Sequence, residues 1–368
     1  MAAARYVMVG GFLGAGKTTA LLRLAERLKG EGKRVGLITN DQSVGLVDTT
    51  LLAAHDLPVE EITGGCFCCR FNSLTEAAEK LSQGERPDVF LAEPVGSCTD
   101  LAATVSYPLR RLYGDAFSIA PYSVLVDPVR AERVLGLASG KSFSPKVLYI
   151  YGKQLEEADV IVVNKADTLD PVRLDRLVAA LKAKYPKAEV RAMSAREGTG
   201  FADWADRIAA GEMAGGPAMA VDYDTYAEGE ALLGWANCTA TLAAEGPFDG
   251  NLYLAELAAD LHRRLEATGV EIAHLKMTLS PDEGTDLAVV NLTRTDGRPE
   301  ASHELQEPLE SGELIVNLRA EADPAQLRQA VLLALDARDK AAGVKATVAH
   351  LEAFRPGRPV PTHRLTEV

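Results

Sequence analysis

Short apolar runs and helical stretches take turns along the first two thirds of the chain. Tyr6 to Val9 is an apolar run of strand length, and after a glycine-rich turn a helical pattern runs from Thr19 to Leu28. Arg34 to Thr39, Pro87 to Ala92, Tyr122 to Val126, Asp159 to Val163 and Val190 to Met193 read as further strands, and Glu60 to Thr63 leads into a second glycine turn. A helix is expected after that turn, capped by Asn72 or Ser73, with Leu74, Ala77, Ala78 and Leu81 on one face. Others are expected over 129–137 and 144–157. Strands and helices in this alternation predict an α/β fold, a mostly parallel sheet with helices on both faces.

The pattern changes after residue 210. Glycine and proline crowd residues 211–222, which read as a linker. Beyond it, Leu232 to Leu242, Glu271 to Leu279, Asp286 to Thr293, Glu313 to Leu318 and Val344 to Ala353 suit strands. Residues 249–267 suit an amphipathic helix striped by Leu254, Leu257, Leu261 and Leu265. Asp323-Pro324 opens a last helix as N-cap and first turn, with Leu327, Val331 and Leu335 as its stripe. The expected division is therefore 1–212 for the first domain, 213–222 for the linker, 223–353 for a smaller α+β domain of ferredoxin-like character, and 354–368 for a proline- and arginine-rich tail that pads a surface.

Length and composition fit this picture: 368 residues, 47% hydrophobic and 25% charged, suit two domains with ordinary cores. No apolar run is long enough to span a bilayer. The first strand begins almost at the N-terminus, which leaves no room for a signal peptide, so the expected location is the cytoplasm. A net charge of −13 with no lysine or arginine block argues against nucleic acid as a partner and fits the handling of cations. Three of the five cysteines sit together at 66, 68 and 69, which in a cytosolic chain signals metal or redox chemistry, not a disulfide framework.

The turn after the first strand, Gly11 to Thr18, has the spacing G-x-x-x-x-G-K-T of a phosphate-binding loop, in the strand–loop–helix context that motif needs. Gly14 and Gly16 allow positive φ, so that backbone N–H groups through Ala15 to Thr19 face a phosphate at a helix N-terminus. Lys17 is expected to reach the β- and γ-phosphates and Thr18 to place its hydroxyl on Mg²⁺. The polar stretch from Asn40 to Asp48 falls where a first switch segment lies, and Asp41 there is a second candidate for Mg²⁺, a turn carboxylate being the alternative. Glu93 ends a strand, and Gly96 follows three places on, the pattern of a Mg²⁺- and γ-phosphate-sensing loop. Asn164-Lys165-Ala166-Asp167 follows another strand. An aspartate there can accept from the N1–H and 2-amino group of guanine, a donor pair that adenine lacks, so the reading is GTP and GDP. Ser194-Ala195-Arg196 matches a base-contacting loop.

Cys66-Phe67-Cys68-Cys69 is the unusual chemistry. Three thiolates make most of a tetrahedral site for Zn²⁺, or a softer cradle for Co²⁺, Ni²⁺ or Cu⁺. A fourth ligand could be water, Glu61, Cys98 or a partner's group, while Cys98 as a small buried residue is the plainer reading. Cys238 and His274 fall in strand patterns and read as core.

GGFLGAGKTT, GGCFCCR, EPVG and NKAD, in this order, resemble the CobW family of P-loop GTPases, relatives of the urease and hydrogenase nickel GTPases UreG and HypB. The likeness covers residues 4–210. It implies a P-loop NTPase domain of SIMIBI type, with a GTPase, slow without a partner, that gates transfer of a metal ion to a client metalloprotein. It implies Lys17 and Thr18 at phosphate and Mg²⁺, Glu93 on the Mg²⁺ and water side, Cys66, Cys68 and Cys69 as transition-metal ligands, and Asn164 and Asp167 at guanine. Lys17, Glu93 and Asp41 are the candidate catalytic residues. The switch here reads NDQSV, with Val44 where a second carboxylate often sits. No membrane or nucleic acid is expected, and a homodimer is compatible. The alternatives are a regulatory GTPase whose cysteines sense redox state, or one with a purely structural zinc.

Overall fold

The computed structural model describes residues 3–41, 47 and 57–367 of the 368. The chain forms two compact units, one of Met1–Val44, His55–Ala227 and Arg358–Val368, the other of Gly45–Ala54 and Glu228–Gly357. The tail from Arg358 thus returns to the first unit. Of the segment 40–48 expected as a first switch, Asn40, Asp41 and Val47 are described and the rest, Val44 included, lies outside the described residues.

Among the described residues the first unit has eight strands: β1 (Ala4–Gly11), β2 (Val35–Asn40), β3 (Val59–Ile62), β4 (Val89–Glu93), β5 (Phe117–Ile119), β6 (Ser123–Val126), β7 (Val160–Val163) and β8 (Glu189–Ala192). They form one sheet in the order β3-β2-β4-β1-β6-β7-β8, with β5 also on β1. Every pairing is parallel. Strands covered on both faces must be apolar throughout, and Val160, Ile161, Val162 and Val163 are all fully buried. From β1 the chain steps outward to β2 and β3, returns to β4, and then builds β6, β7 and β8 on the other side. Right-handed crossovers in two opposite directions put helices on opposite faces of the sheet. They also leave a crevice at the C-terminal end of β1, the switch point where such sheets take ligands.

Several elements differ from expectation. The helix after the cysteines runs Phe71–Leu81 with Arg70 as its N-cap, so Asn72 and Ser73 lie inside it. The backbone amides of Cys69 and Arg70 both bond the Cys66 carbonyl, so the cysteine turn winds straight into the helix and no side-chain cap is used. Short β5 and the helix Tyr223–Leu232 carry no apolar period and are not legible in the sequence.

In the second unit, β9 (Leu233–Phe248), β10 (Glu271–Pro281), β11 (Ala288–Leu292), β12 (Glu300–His303), β13 (Leu309–Glu321) and β14 (Val344–Phe354) form an antiparallel sheet ordered β12-β11-β10-β13-β9-β14. With the helices Gly250–Ala267 and Pro324–Ala342 the strands β9, β10, β13 and β14 make a β-α-β-β-α-β unit of ferredoxin-like order, and β11 and β12 extend the sheet beyond β10. Leu254, Leu257, Leu261 and Leu265 and the stripe Leu327, Val331 and Leu335 enter one core with Cys238. Each such side chain contributes about 1.5–3 kcal/mol by leaving water. Asp249 and Asp323 cap the two helices through the amides of Leu252 and Ala325. His274 is half-buried on β10. Among the described residues, no helix is long and apolar enough to cross a membrane.

Candidate functional site

β1 delivers the chain to Gly11, the loop turns through Phe12 to Gly16, and a helix starts at Lys17. Gly14 and Gly16 are left-handed, at φ 80° and 86°. A Cβ at Gly16 would lie 2.5 Å from Asn164 Nδ2, so glycine is required there for space as well as for φ. Asn164 Nδ2 donates to the Ala15 carbonyl at 2.9 Å, and its Oδ1 accepts the Ala195 amide at 3.0 Å. Lys165, itself left-handed, donates its ammonium to the Gly14 carbonyl at 2.8 Å and to Asp127 Oδ2 at 2.9 Å. Burial works against the Asp127 charge, but Lys165 and Arg130 outweigh it and hold its carboxyl below the usual range. The three elements singled out around residues 11–19, 164–167 and 194–195 are therefore clamped into one surface. Asp167 is exposed on it, Ser194 is buried and accepts the Glu197 amide, and Thr19 faces solvent.

Lys17 and Thr18 are buried beneath this surface. The Thr18 hydroxyl donates to Glu93 Oε1 at 3.2 Å, and the Lys17 ammonium lies 3.9 Å from the same oxygen. Gly96 packs against the phosphate-type loop: a Cβ there would be 3.0 Å from the backbone N of Leu13. Asp41 follows β2, half-buried, with its amide on the Ile62 carbonyl at 3.1 Å. Arg130 was not singled out by the sequence. Its guanidinium donates to the Leu13 carbonyl at 3.1 Å and stacks on Phe12 and Phe143, stiffening the loop from behind.

The cysteine turn brings its three sulfurs together. Cys66 and Cys68 are 2.7 Å apart, Cys66 and Cys69 3.3 Å, Cys68 and Cys69 3.6 Å. All five cysteines of the chain are described, and none forms a disulfide. Cys66 is held well below the ordinary thiol range, chiefly by the sulfurs of Cys68 and Cys69 beside it. Cys68 is pushed up, and Cys69 up to about 11, chiefly by that same Cys66 sulfur. The three sulfurs make a soft donor set for a Zn²⁺-class ion. Thr18 with Glu93 is, by contrast, a set of hard oxygens.

Asn40, the last residue of β2, follows Thr39, which pairs with Glu93, and it holds the cysteine turn; the sequence did not single it out. Its Nδ2 donates to the carbonyls of Ile62 at 2.9 Å and Gly65 at 2.7 Å, and its Oδ1 accepts the Phe67 amide at 2.8 Å. A buried asparagine at a strand end is the signal that could have found it. The tail was expected as surface padding, and it runs along the cysteine turn. The Val360 amide donates to Cys69 Sγ at 3.2 Å, and Thr362 donates its amide to the Cys68 carbonyl and its hydroxyl to the Cys69 carbonyl.

The family model described as CobW/HypB/UreG, nucleotide-binding domain, matches residues 5–191. Among curated relatives, the zinc chaperone YeiR of Escherichia coli (strain K12) is 33% identical over 170 residues, 45% of this chain and 47% of that one. The zinc chaperone CobW of a Sinorhizobium species is 28% identical over 182 residues, 44% and 51% of the two chains. The chain spans about half the length of these relatives. Among solved structures, the hydrogenase maturation factor HypB from Archaeoglobus fulgidus is 21% identical, covers 55% of this chain and 87% of its own, and has a TM-score of 0.40.

Proposed function

Because the chain belongs to the CobW/HypB/UreG family, we propose that it is a GTP-hydrolysing metallochaperone that carries a transition-metal ion, Zn²⁺ first, on Cys66, Cys68 and Cys69. The ion passes to a client metalloprotein as the nucleotide is spent. Two curated relatives are named zinc chaperones, which supports the choice of metal.

In this reading the amides from Gly14 to Thr19 and the Lys17 ammonium receive the β- and γ-phosphates of GTP. Asp167 accepts from guanine N1–H and the 2-amino group, with Asn164 and Lys165 fixing the loop and Ser194 and Ala195 closing over the base. Water attacks the γ-phosphorus, the bridging bond to the β-phosphate breaks, and GDP and inorganic phosphate leave. Thr18, Glu93 and Asp41 supply oxygens, the donor type Mg²⁺ takes, and a bound Mg²⁺ would neutralise charge on the transferred phosphoryl group. Glu93 also faces the attacking water, and the Gly96 amide reads the γ-phosphate. Loss of that phosphate releases the loop that packs on Leu13.

The observation that carries the coupling is Asn40. One side chain at the end of β2, next to Asp41, fixes the backbone of the thiolate turn at Gly65 and Phe67. A shift of the switch end of β2 therefore moves the sulfurs. The test is a competition titration of Zn²⁺ in the presence of a non-hydrolysable GTP analogue and in the presence of GDP. Tighter zinc binding with the analogue is expected. Equal affinity in both states removes the transfer mechanism, because a ligand biases a switch only through differential binding.

A further inference from the structure

The turn after β8, from Ser194 to Thr199, is tied to itself. The Ser194 amide donates to the Thr199 carbonyl and the Gly198 amide to the Ser194 carbonyl, both at 2.8 Å, and Ser194 Oγ accepts the Glu197 amide at 3.0 Å. Such a turn moves as a unit, so its place beside a bound base depends on its ties to the rest of the site. One tie is the bond from the Ala195 amide to Asn164 Oδ1. Another comes from Arg23, on the helix Lys17–Gly30 that starts at the phosphate-type loop. Arg23 Nη1 donates to the carbonyls of Ala195 and Arg196, each at 2.8 Å. Its guanidinium carbon lies 5.4 Å from the centre of the Phe201 ring. Gly198 is left-handed at φ 88°, and a Cβ there would stand 2.5 Å from Arg23 Nη2, so a glycine at 198 is what leaves room for the guanidinium.

We propose that Arg23 is a positioning residue for the nucleotide base: it holds the Ser194–Thr199 turn against a guanine whose phosphates sit at the start of its own helix. It then adds to base affinity and leaves phosphate binding and the hydrolytic step alone. The inference rests on the GTP-binding reading above and adds a residue to it. Ala195 is held from two directions, its amide by Asn164 and its carbonyl by Arg23. Asn164 in turn donates to the Ala15 carbonyl, so both ties run back to the phosphate-type loop or to the helix that begins there. The span from phosphate to base in a nucleotide is limited by its covalent structure, and the double tie fixes the matching span in the protein. A charged donor shared by two carbonyls is a strong tie. Without it the turn swings about the Asn164 bond, and ordering it again on binding weakens affinity for the base. Arg27, one helical turn further on, is a built-in control. It donates to the Ala202 carbonyl at 3.2 Å and pairs with Asp206, so it fastens the helix Phe201–Ala210 and not the turn.

The experiment titrates the full chain, Arg23→Met, Arg23→Lys and Arg27→Met with GDP and with inorganic tripolyphosphate, and follows GTP turnover in each. Methionine keeps an apolar stem against Phe201 and has no donor, whereas lysine still donates to both carbonyls. GDP affinity should fall roughly 10- to 100-fold in Arg23→Met, the worth of losing two bonds from a charged group. Arg23→Lys should recover most of that loss. Tripolyphosphate affinity should stay level throughout, KM for GTP should rise in Arg23→Met with kcat kept, and Arg27→Met should match the unaltered chain. Unchanged GDP affinity in Arg23→Met overturns the inference and leaves the GTP reading in place. So does a loss shared by tripolyphosphate or by Arg27→Met, or a lysine variant no better than methionine. Failure of the unaltered chain to bind GDP removes both. If Arg23→Met does not fold, Arg23→Gln decides in its place: weaker GDP binding with level tripolyphosphate binding is expected, and no change in GDP binding overturns the inference.

Discussion

Replacing Asn40 with alanine tests the mechanical link between strand β2 and the thiolate turn. The side chain makes three hydrogen bonds, and alanine removes all of them. The losses are unequal. The Ile62 carbonyl keeps the Asp41 amide as a donor at 3.1 Å, so its deficit is small. The Gly65 carbonyl is part-buried and loses a 2.7 Å bond. The Phe67 amide is buried and loses its 2.8 Å acceptor, and a stranded buried donor costs about 1–3 kcal/mol. Together the turn should be loosened by roughly 2–4 kcal/mol. That raises its opening equilibrium by roughly 30- to 700-fold, since each 1.4 kcal/mol is a factor of ten. Amide hydrogen exchange over residues 64–70 reads this directly, and a zinc competition assay should show weaker binding in step. Asn40→Asp is a sharper variant: it keeps an acceptor for Phe67 but sets a carboxylate against two carbonyl oxygens, so it should loosen the turn at least as much. Unchanged exchange at Phe67 together with unchanged zinc affinity would refute the argument that Asn40 positions the sulfurs.

Asp167→Asn should abolish GTP binding and admit the xanthine nucleotide, whose 2-oxo group accepts where guanine donates; a fluorescent-nucleotide competition series checks this, and retained GTP affinity counts against the guanine assignment. Burial pushes Glu157 up to about 8 while it accepts from Thr99 and the Ala102 amide. The folded state therefore keeps a proton that the unfolded chain releases, so stability is full in acid below the ordinary glutamate range and drains away as pH rises through about 8. Denaturation midpoints should fall over that window and flatten in Glu157→Gln. Ending the chain after Gly357 removes the amide donor to Cys69 and both Thr362 bonds, so Cys69 should react faster with a thiol reagent while Cys98 does not. Equal Cys69 rates with and without the tail would mean the tail does not shield the site.

The local motifs were legible because their chemistry is set by covalent spacing. Gly14, Gly16, Lys17 and Thr18 must be near neighbours to line a loop at a helix start, and Cys66, Cys68 and Cys69 must be near neighbours to share an ion. The apolar stripes of Leu254 to Leu265 and Leu327 to Leu335 were legible for the same reason, since helical period is a short-range property. The parallel sheet followed from the alternation of strands and helices. Tertiary structure decided what lies between those motifs. Asn40 and Phe67 are 27 residues apart, and Cys69 and Val360 are 291 apart. No spacing rule reaches that far, and only strand order brings such pairs together. The return of the tail to the first unit and the clamp of Asn164 and Lys165 on Ala15 and Gly14 are of this kind. Residues supply chemistry within a few positions of themselves, and distant groups are matched only when the packed core leaves each backbone polar group one partner within reach.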